Sequence, residues 1–106
     1  MKKQVVEWGN DRDLIHEENA PRQLLKLTEE VGELAAAFIK KNKKDQEDAI
    51  GDIQVVLILF CEQVGIDYDK ALYDAYHVIK NRKGKTENGT FIKEEDYINC
   101  KTIDND

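Results

Sequence analysis

Five carboxylates stand out by type and spacing. Glu29, Glu30 and Glu33 fall in LTEEVGEL, residues 27–34, and Asp48 and Asp52 in EDAIGDI, residues 47–53. On a helix turning about 100° per residue, Leu24, Leu27, Val31, Leu34 and Phe38 form one apolar stripe; Glu30 and Glu33 fall beside it at about 300° and 240°, and Glu29 further out at about 200°. Gln23, Lys26 and Ala37 continue the polar seam that holds Glu30 and Glu33. On the following segment Asp48, Asp52, Val55 and Leu59 recur at spacings of four, three and four, so both aspartates are expected on the face that becomes core one turn later. Clustered, partly buried carboxylates repel one another and need a counter-charge. A protonated carboxyl, a Lys or Arg from elsewhere, or a metal ion would each supply it. Hard oxygen donors on two facing helices suit Mg²⁺, with Mn²⁺ as an alternative, and no cysteine or histidine lies near enough in sequence to favour zinc. The plainer alternative is a solvated face: Lys26 and Glu30 form an i,i+4 pair worth a few tenths of a kcal/mol, and charged helix ends make inter-helix salt bridges.

The elements that must position these groups are helical. A short helix is expected at about Asp11–Glu18. A second opens near Asn19, Ala20 and Pro21, where a proline in the first turn is harmless, and runs to about Lys41 with the Leu24–Phe38 stripe toward the core. KKNKKDQ, residues 40–46, reads as the loop between antiparallel helices. A third helix is expected from about Gln46 to Val64, apolar nearly all round in IQVVLILF, with Gly65 at its end. A fourth, capped by Asp67 or Asp69, carries Leu72, Ala75, Tyr76 and Ile79 on one side and ends near Gly84 in a basic last turn. Asn88-Gly89 predicts a small hairpin, and the tail from Glu94 a helical turn followed by frayed residues. The fold class is therefore all-α, four-helix-bundle-like, with a small C-terminal hairpin, and a single proline with no linker or repeat predicts one domain over residues 1–106.

A chain of 106 residues can form a small core unaided. A formal charge of -6 argues against a broad nucleic-acid surface. The longest apolar run, residues 55–61, is too short to cross a bilayer, so no membrane partner is expected. Cys61 and Cys100 have no metal-binding or redox spacing, which fits a reducing, cytoplasmic setting.

The quoted residues resemble a family. EEVGEL followed by DAIGDIQVVL is similar to the MazG-like all-α nucleoside triphosphate pyrophosphohydrolases, with EExxE on one helix and ExxD on the next. WGNDR, QLLKLTEEVGELA and NRKGKTENGTFIK extend the likeness to the short phage-type form, over roughly residues 8–93. Glu29, Glu30 and Glu33 match EExxE and Asp52 the last residue of ExxD. The first residue of ExxD falls on Ala49, and Asp48 is the nearest carboxylate to replace it.

The resemblance implies hydrolysis of a nucleoside triphosphate at the α-phosphorus, with Glu30, Glu33 and Asp52 as direct ligands, Asp48 as a further one and Glu29 able to take the proton of the attacking water. A triphosphate meets an acidic protein only through divalent ions, which agrees with this. Lys26 either pairs with the carboxylates or reaches a phosphate. Lys80, Arg82 and Lys83 either grip phosphates or simply complement a helix end, and the family's pattern supports Lys80, Asn81 and Arg82 as a nucleotide-side segment. Trp8 is the preferred stacking platform for the base over Tyr73, Tyr76 and Phe91, and His16 and His77 read as surface or packing residues. MazG-like proteins form dimers or dimers of dimers, and the apolar run Val55–Phe60 fits self-association. Two other readings stay open: a helical interaction module whose acidic seam binds a basic partner, and a hydrolase of a diphosphate or alarmone.

Overall fold

Asn42 shows how tightly the two principal helices are joined. Its side-chain Oδ1 accepts from the Asp45 N–H at 3.0 Å and starts a helix at Lys43, while its own N–H reaches back to the Ala37 carbonyl at 3.0 Å. Lys41 adopts a left-handed φ of 58° to make the reversal. The loop expected over residues 40–46 thus contracts to three residues, because a side-chain cap begins the helix earlier than hydrophobic periodicity indicates.

The computed structural model describes residues 1–96, so Cys100 and most of the expected tail lie outside the described residues. In chain order the elements are α1 (Lys2–Asp11), a 3-10 turn (Glu17–Asn19), α2 (Ala20–Ile39), α3 (Lys43–Val64), α4 (Tyr68–Ile79), β1 (Gly84–Glu87) and β2 (Thr90–Lys93). The class is all-α with a two-stranded hairpin, as expected. Contacts divide the chain into two compact units, Met1–Asp69 and Lys70 onward.

In the first unit α2 and α3 pack against each other. They run antiparallel: Gln23, near the start of α2, meets Gln63, near the end of α3, with Nε2 of Gln63 donating to Oε1 of Gln23 at 3.3 Å. Gly65 ends α3 at φ 76°, a left-handed cap that a side chain would strain. The face α2 buries is not the expected stripe. Ala20, Glu30 and Ala37 are buried, with Gln23, Leu27 and Leu34 half-buried, whereas Leu24, Val31 and Phe38 are 47, 50 and 70% exposed. The helix is rotated toward its polar seam, where small alanines permit close approach to Ala49 of α3, which is also buried.

The first helix also differs from expectation. It spans Lys2–Asp11, and residues 12–16 leave the helical conformation, with Asp13 at φ 58°. The Leu14 carbonyl accepts from Asn19 Nδ2 at 3.1 Å and from Gln63 Nε2 at 3.0 Å, ties to the rest of the unit that a continued helix would forgo. Gly9 is buried, and a Cβ there would meet Leu59 Cδ2 at 2.6 Å, so the glycine lets α1 lie directly on α3.

In the second unit Gly84–Glu87 pairs antiparallel with Thr90–Lys93, Thr86 opposite Phe91. Asn88 and Gly89 both take positive φ, the turn their sequence predicts. The helix α4 stops at Ile79, so Lys80, Asn81, Arg82 and Lys83 occupy the connection to the hairpin rather than a last helical turn; the Arg82 N–H bonds the Ile79 carbonyl at 3.0 Å. The expected packing face of α4 is exposed at Leu72, Tyr76 and Ile79. Among the described residues no single helix is long and apolar enough to cross a membrane.

Candidate active site

Glu30 is only 5% exposed, on the α2 face that packs on α3. Its Oε2 is buried with no hydrogen-bond partner, and Lys26, one turn earlier, stands 3.7 Å from its Oε1. Burial raises its carboxyl above the ordinary range. A hydrogen bond with Glu33 and the charges of Glu33 and Asp52 push the same way, against a weaker pull from Lys26. A buried ionised carboxylate left half-satisfied costs several kcal/mol. One lysine, itself largely solvated, does not neutralise three acids.

Beside Glu30 opens a cleft of about 310 Å³ lined by Glu33, Ala36, Ala37 and Lys40 of α2 and its C-terminal cap and by Asp45, Asp48, Ala49 and Asp52 of α3. Its floor is alanine on both sides, Ala37 and Ala49 being buried. Asp48 does not point into the core as its spacing suggests. It is exposed, and Lys44 holds it at 2.6 Å across one helical turn, so it lines the cleft from the rim. Asp52 is also exposed, but it sits in register with the buried residues Ala49, Val56, Leu59 and Gln63. It borders a second, apolar groove with Gln4, Val5, Trp8 and Val55. Trp8 and Val55 continue into a cavity of about 300 Å³ with Leu14, Arg22, Gln23, Lys26, Val56 and Leu59.

The fold therefore brings Glu33 and Asp52 within electrostatic reach of Glu30, with Asp48 on the cleft that Glu33 and Asp52 also line and Lys26 on Glu30. Glu29 is exposed and outside the cleft lining. Trp8 belongs to α1, and Arg12 stacks over its ring at 4.4 Å. Asn81, Arg82 and Lys83 line a separate hollow of the second unit with Lys93, Glu94 and Glu95. His16 bonds Asp13 at 2.6 Å, and the His77 ring lies 4.0 Å from that of Tyr73. Cys61 is a free, buried thiol whose pKa burial raises.

Three residues escaped the sequence reading. Asp45 precedes Asp48 and Asp52 at spacings of three and four, a signal hidden by assigning it to a loop. Lys40 follows Glu33 by seven residues on the same helical face. Gln63 carried no signal, since its burial depends on partners 40 and 49 residues away.

The donor set fits a hard divalent cation: carboxylate oxygens only, one of them buried and unpartnered. Among the described residues no group of three or more His, Cys, Asp or Glu is already gathered into a metal-binding arrangement.

An antiparallel pair with EExxE on one helix and an aspartate facing it from the next is the arrangement of the all-α nucleotide pyrophosphohydrolases. The profile of the phosphoribosyl-ATP pyrophosphohydrolase family matches residues 9–77, and the chain belongs to that family, within the MazG-like superfamily. The matched span holds Glu29, Glu30, Glu33, Asp45, Asp48 and Asp52 and stops short of Lys80. The chain is also similar to an uncharacterised 18.2 kDa protein from the rep-hol intergenic region of Haemophilus phage HP1, 39% identical over 66 residues. That alignment covers 61% of this chain and 40% of the phage protein, so the chain spans well under half of that relative. No solved structure matches the chain. Family membership supports a nucleotide pyrophosphohydrolase type of activity.

Proposed function

We propose that the chain is a Mg²⁺-dependent nucleoside triphosphate pyrophosphohydrolase, converting a ribo- or deoxynucleoside triphosphate and water to the monophosphate and pyrophosphate. The observation that carries this reading is Glu30: a buried carboxylate with an unpartnered oxygen, loaded by two neighbouring acids, beside an open cleft. Glu30, Glu33 and Asp52 would hold the metal, with Asp48 reaching it from the rim. When bound, Mg²⁺ neutralises these acids and the phosphate oxygens and polarises the α-phosphorus for attack by water. A bond forms between the water oxygen and the α-phosphorus, the bond to the bridging oxygen breaks, and the electron pair leaves with pyrophosphate. The proton of the water goes to a carboxylate free of metal. We assign this to Glu29, the exposed motif member that does not line the cleft and stands clear of the repulsion around Glu30.

Lys26, the cation that stands against Glu30, is assigned to a phosphate or to restraint of Glu30. Lys80, Asn81, Arg82 and Lys83 are assigned to the β and γ phosphates, and Trp8 to the base. The exposed Leu24, Val31 and Phe38 support assembly as a homodimer or dimer of dimers. The net charge supports a protein without nucleic-acid partners, and the buried reduced thiol a cytoplasmic one.

The test is a substrate panel with Mg²⁺: the common and modified nucleoside triphosphates, phosphoribosyl-ATP, nucleoside diphosphates and an alarmone, with pyrophosphate and orthophosphate measured separately. Metal-dependent pyrophosphate release from a triphosphate is expected. Turnover of only a diphosphate or alarmone would reassign the substrate. Inactivity throughout would favour a helical interaction module, a reading the exposed apolar side chains of α2 and α4 also support.

A further inference from the structure

The cavity beside Trp8 contains a hydrogen-bond arrangement that the phosphate chemistry does not use. The Gln63 side chain is 6% exposed. Its Nε2 donates to the Leu14 carbonyl at 3.0 Å and to Gln23 Oε1 at 3.3 Å, and its own Oε1 is buried without a partner. A backbone carbonyl only accepts, so the nitrogen end of the Gln63 amide must face Leu14. Its second N–H then requires an acceptor, which fixes the oxygen end of the Gln23 amide toward Gln63. The Nε2 of Gln23 is left as the free end of an oriented amide, and Gln23 lines the cavity together with Trp8. Arg12 stacks on the Trp8 ring. The same tryptophan borders Asp52 through the adjoining groove, so a flat ring seated on it lies next to the carboxylates.

We propose that Gln23, oriented by Gln63, is the specificity-determining residue of a nucleobase pocket that selects bases presenting a carbonyl at the edge facing it over those presenting an amino group. An amide N–H₂ donates to a keto oxygen and is left facing another donor when the base carries an amine, a mismatch that polar sites reject strongly. Gln63 is a positioning residue: it touches no substrate and acts by removing the alternative orientation of Gln23. The proposal rests on the hydrolase reading for the phosphate end of the ligand, and its test is independent of turnover.

Trp8 is the single tryptophan of the chain, so its fluorescence reports a base stacked upon it. The probes are two pairs that exchange keto for amino, the adjoining ring nitrogen changing with it from N–H to bare nitrogen: dUTP with dCTP, and dITP with dATP, titrated with the whole 106-residue chain, with pyrophosphate release followed in parallel. The wild type is expected to bind and turn over the keto member of each pair about tenfold better. Gln23→Glu keeps an acceptor for Gln63 and replaces the donor by an acceptor, so it is expected to invert the preference. Gln63→Leu frees the Gln23 amide to turn, relaxing the preference without inverting it, with the change in KM and kcat little altered. Gln23→Glu provides the decisive reading should Gln63→Leu fail to fold. Turnover without a keto preference, a preference unmoved by Gln23→Glu, or no quenching of Trp8 by any probe overturns the pocket while leaving the hydrolase reading intact. Quenching with the expected preference and inversion in a protein that releases no pyrophosphate upholds the pocket and refutes the hydrolase instead.

Discussion

The two faces of α2 reverse the usual division of labour on an amphipathic helix. The inner face is led by Ala20, Gln23, Glu30 and Ala37, small or polar, with Leu27 and Leu34 half-buried beside them; the outer face is Leu24, Val31 and Phe38, large, apolar and substantially solvated. An ordinary surface helix turns its large apolar residues inward. Here α3 approaches over alanines, and the contact encloses a carboxylate at a cost that packing offsets and ligand binding can recover. The lesson is that hydrophobic periodicity marks where apolar side chains cluster, and a second surface, supplied by another chain, can be what they are for.

Substitutions on either face test this contrast. The largest effect is expected on the inner face: Glu30→Gln or Asp52→Asn should lower kcat/KM on the order of a thousandfold, measured as pyrophosphate release. Glu29→Gln should lower kcat by about a hundredfold with KM nearly unchanged, the pattern of a lost general base; a change under threefold would remove Glu29 from that role. On the outer face, Val31→Glu with Phe38→Glu should weaken assembly roughly thirtyfold, read by sedimentation velocity across a dilution series, while helical content stays the same. A sedimentation coefficient of a single chain for the wild type would break the contrast at its root. Gly9→Ala drives a methyl into Leu59 and should destabilise the fold by about 1 to 3 kcal/mol in urea titration.

The smallest effect concerns pH. Glu30 titrates above its unfolded value, so its contribution favours the fold at acid pH and is lost as pH rises through the raised range. In chelator the melting temperature should therefore fall from acid toward neutral pH. Glu30→Gln should flatten that descent and melt a few degrees higher at neutral pH, so one substitution stabilises the chain and abolishes its chemistry. An unchanged slope would mean that Glu30 is better solvated than its surroundings indicate.

Local rules found the elements they govern. Pro21 and Gly65 gave the start of α2 and the end of α3, Asn88-Gly89 gave the hairpin, and EEVGEL with GD gave the acids that meet. Nonlocal contacts decided the rest. Nothing within Lys2–Asp11 announces a helix, because its seat is a glycine pressed on Leu59. Asp48 was expected inward until Lys44 held it at the rim. The basic segment 80–83 was expected on a helix that ends at Ile79. The rotation of α2 was hidden because periodicity weighs hydrophobicity and not size, and Ala37 opposite Ala49 is an agreement between two helices that neither carries alone.

The Leu14 carbonyl receives three donors, the nearby His16 N–H, the Asn19 side chain from the turn before α2 and the Gln63 side chain from the last turns of α3. A single oxygen is thereby shared among donors from three stretches of the chain, which it holds at one knot. Loosening of residues 12–16 must break the bonds from Asn19 and Gln63 together, so slow amide exchange near Leu14, Asn19 and Gln63 should collapse in concert, and motion at the amino terminus is geared to the far end of the long helices instead of fraying by itself.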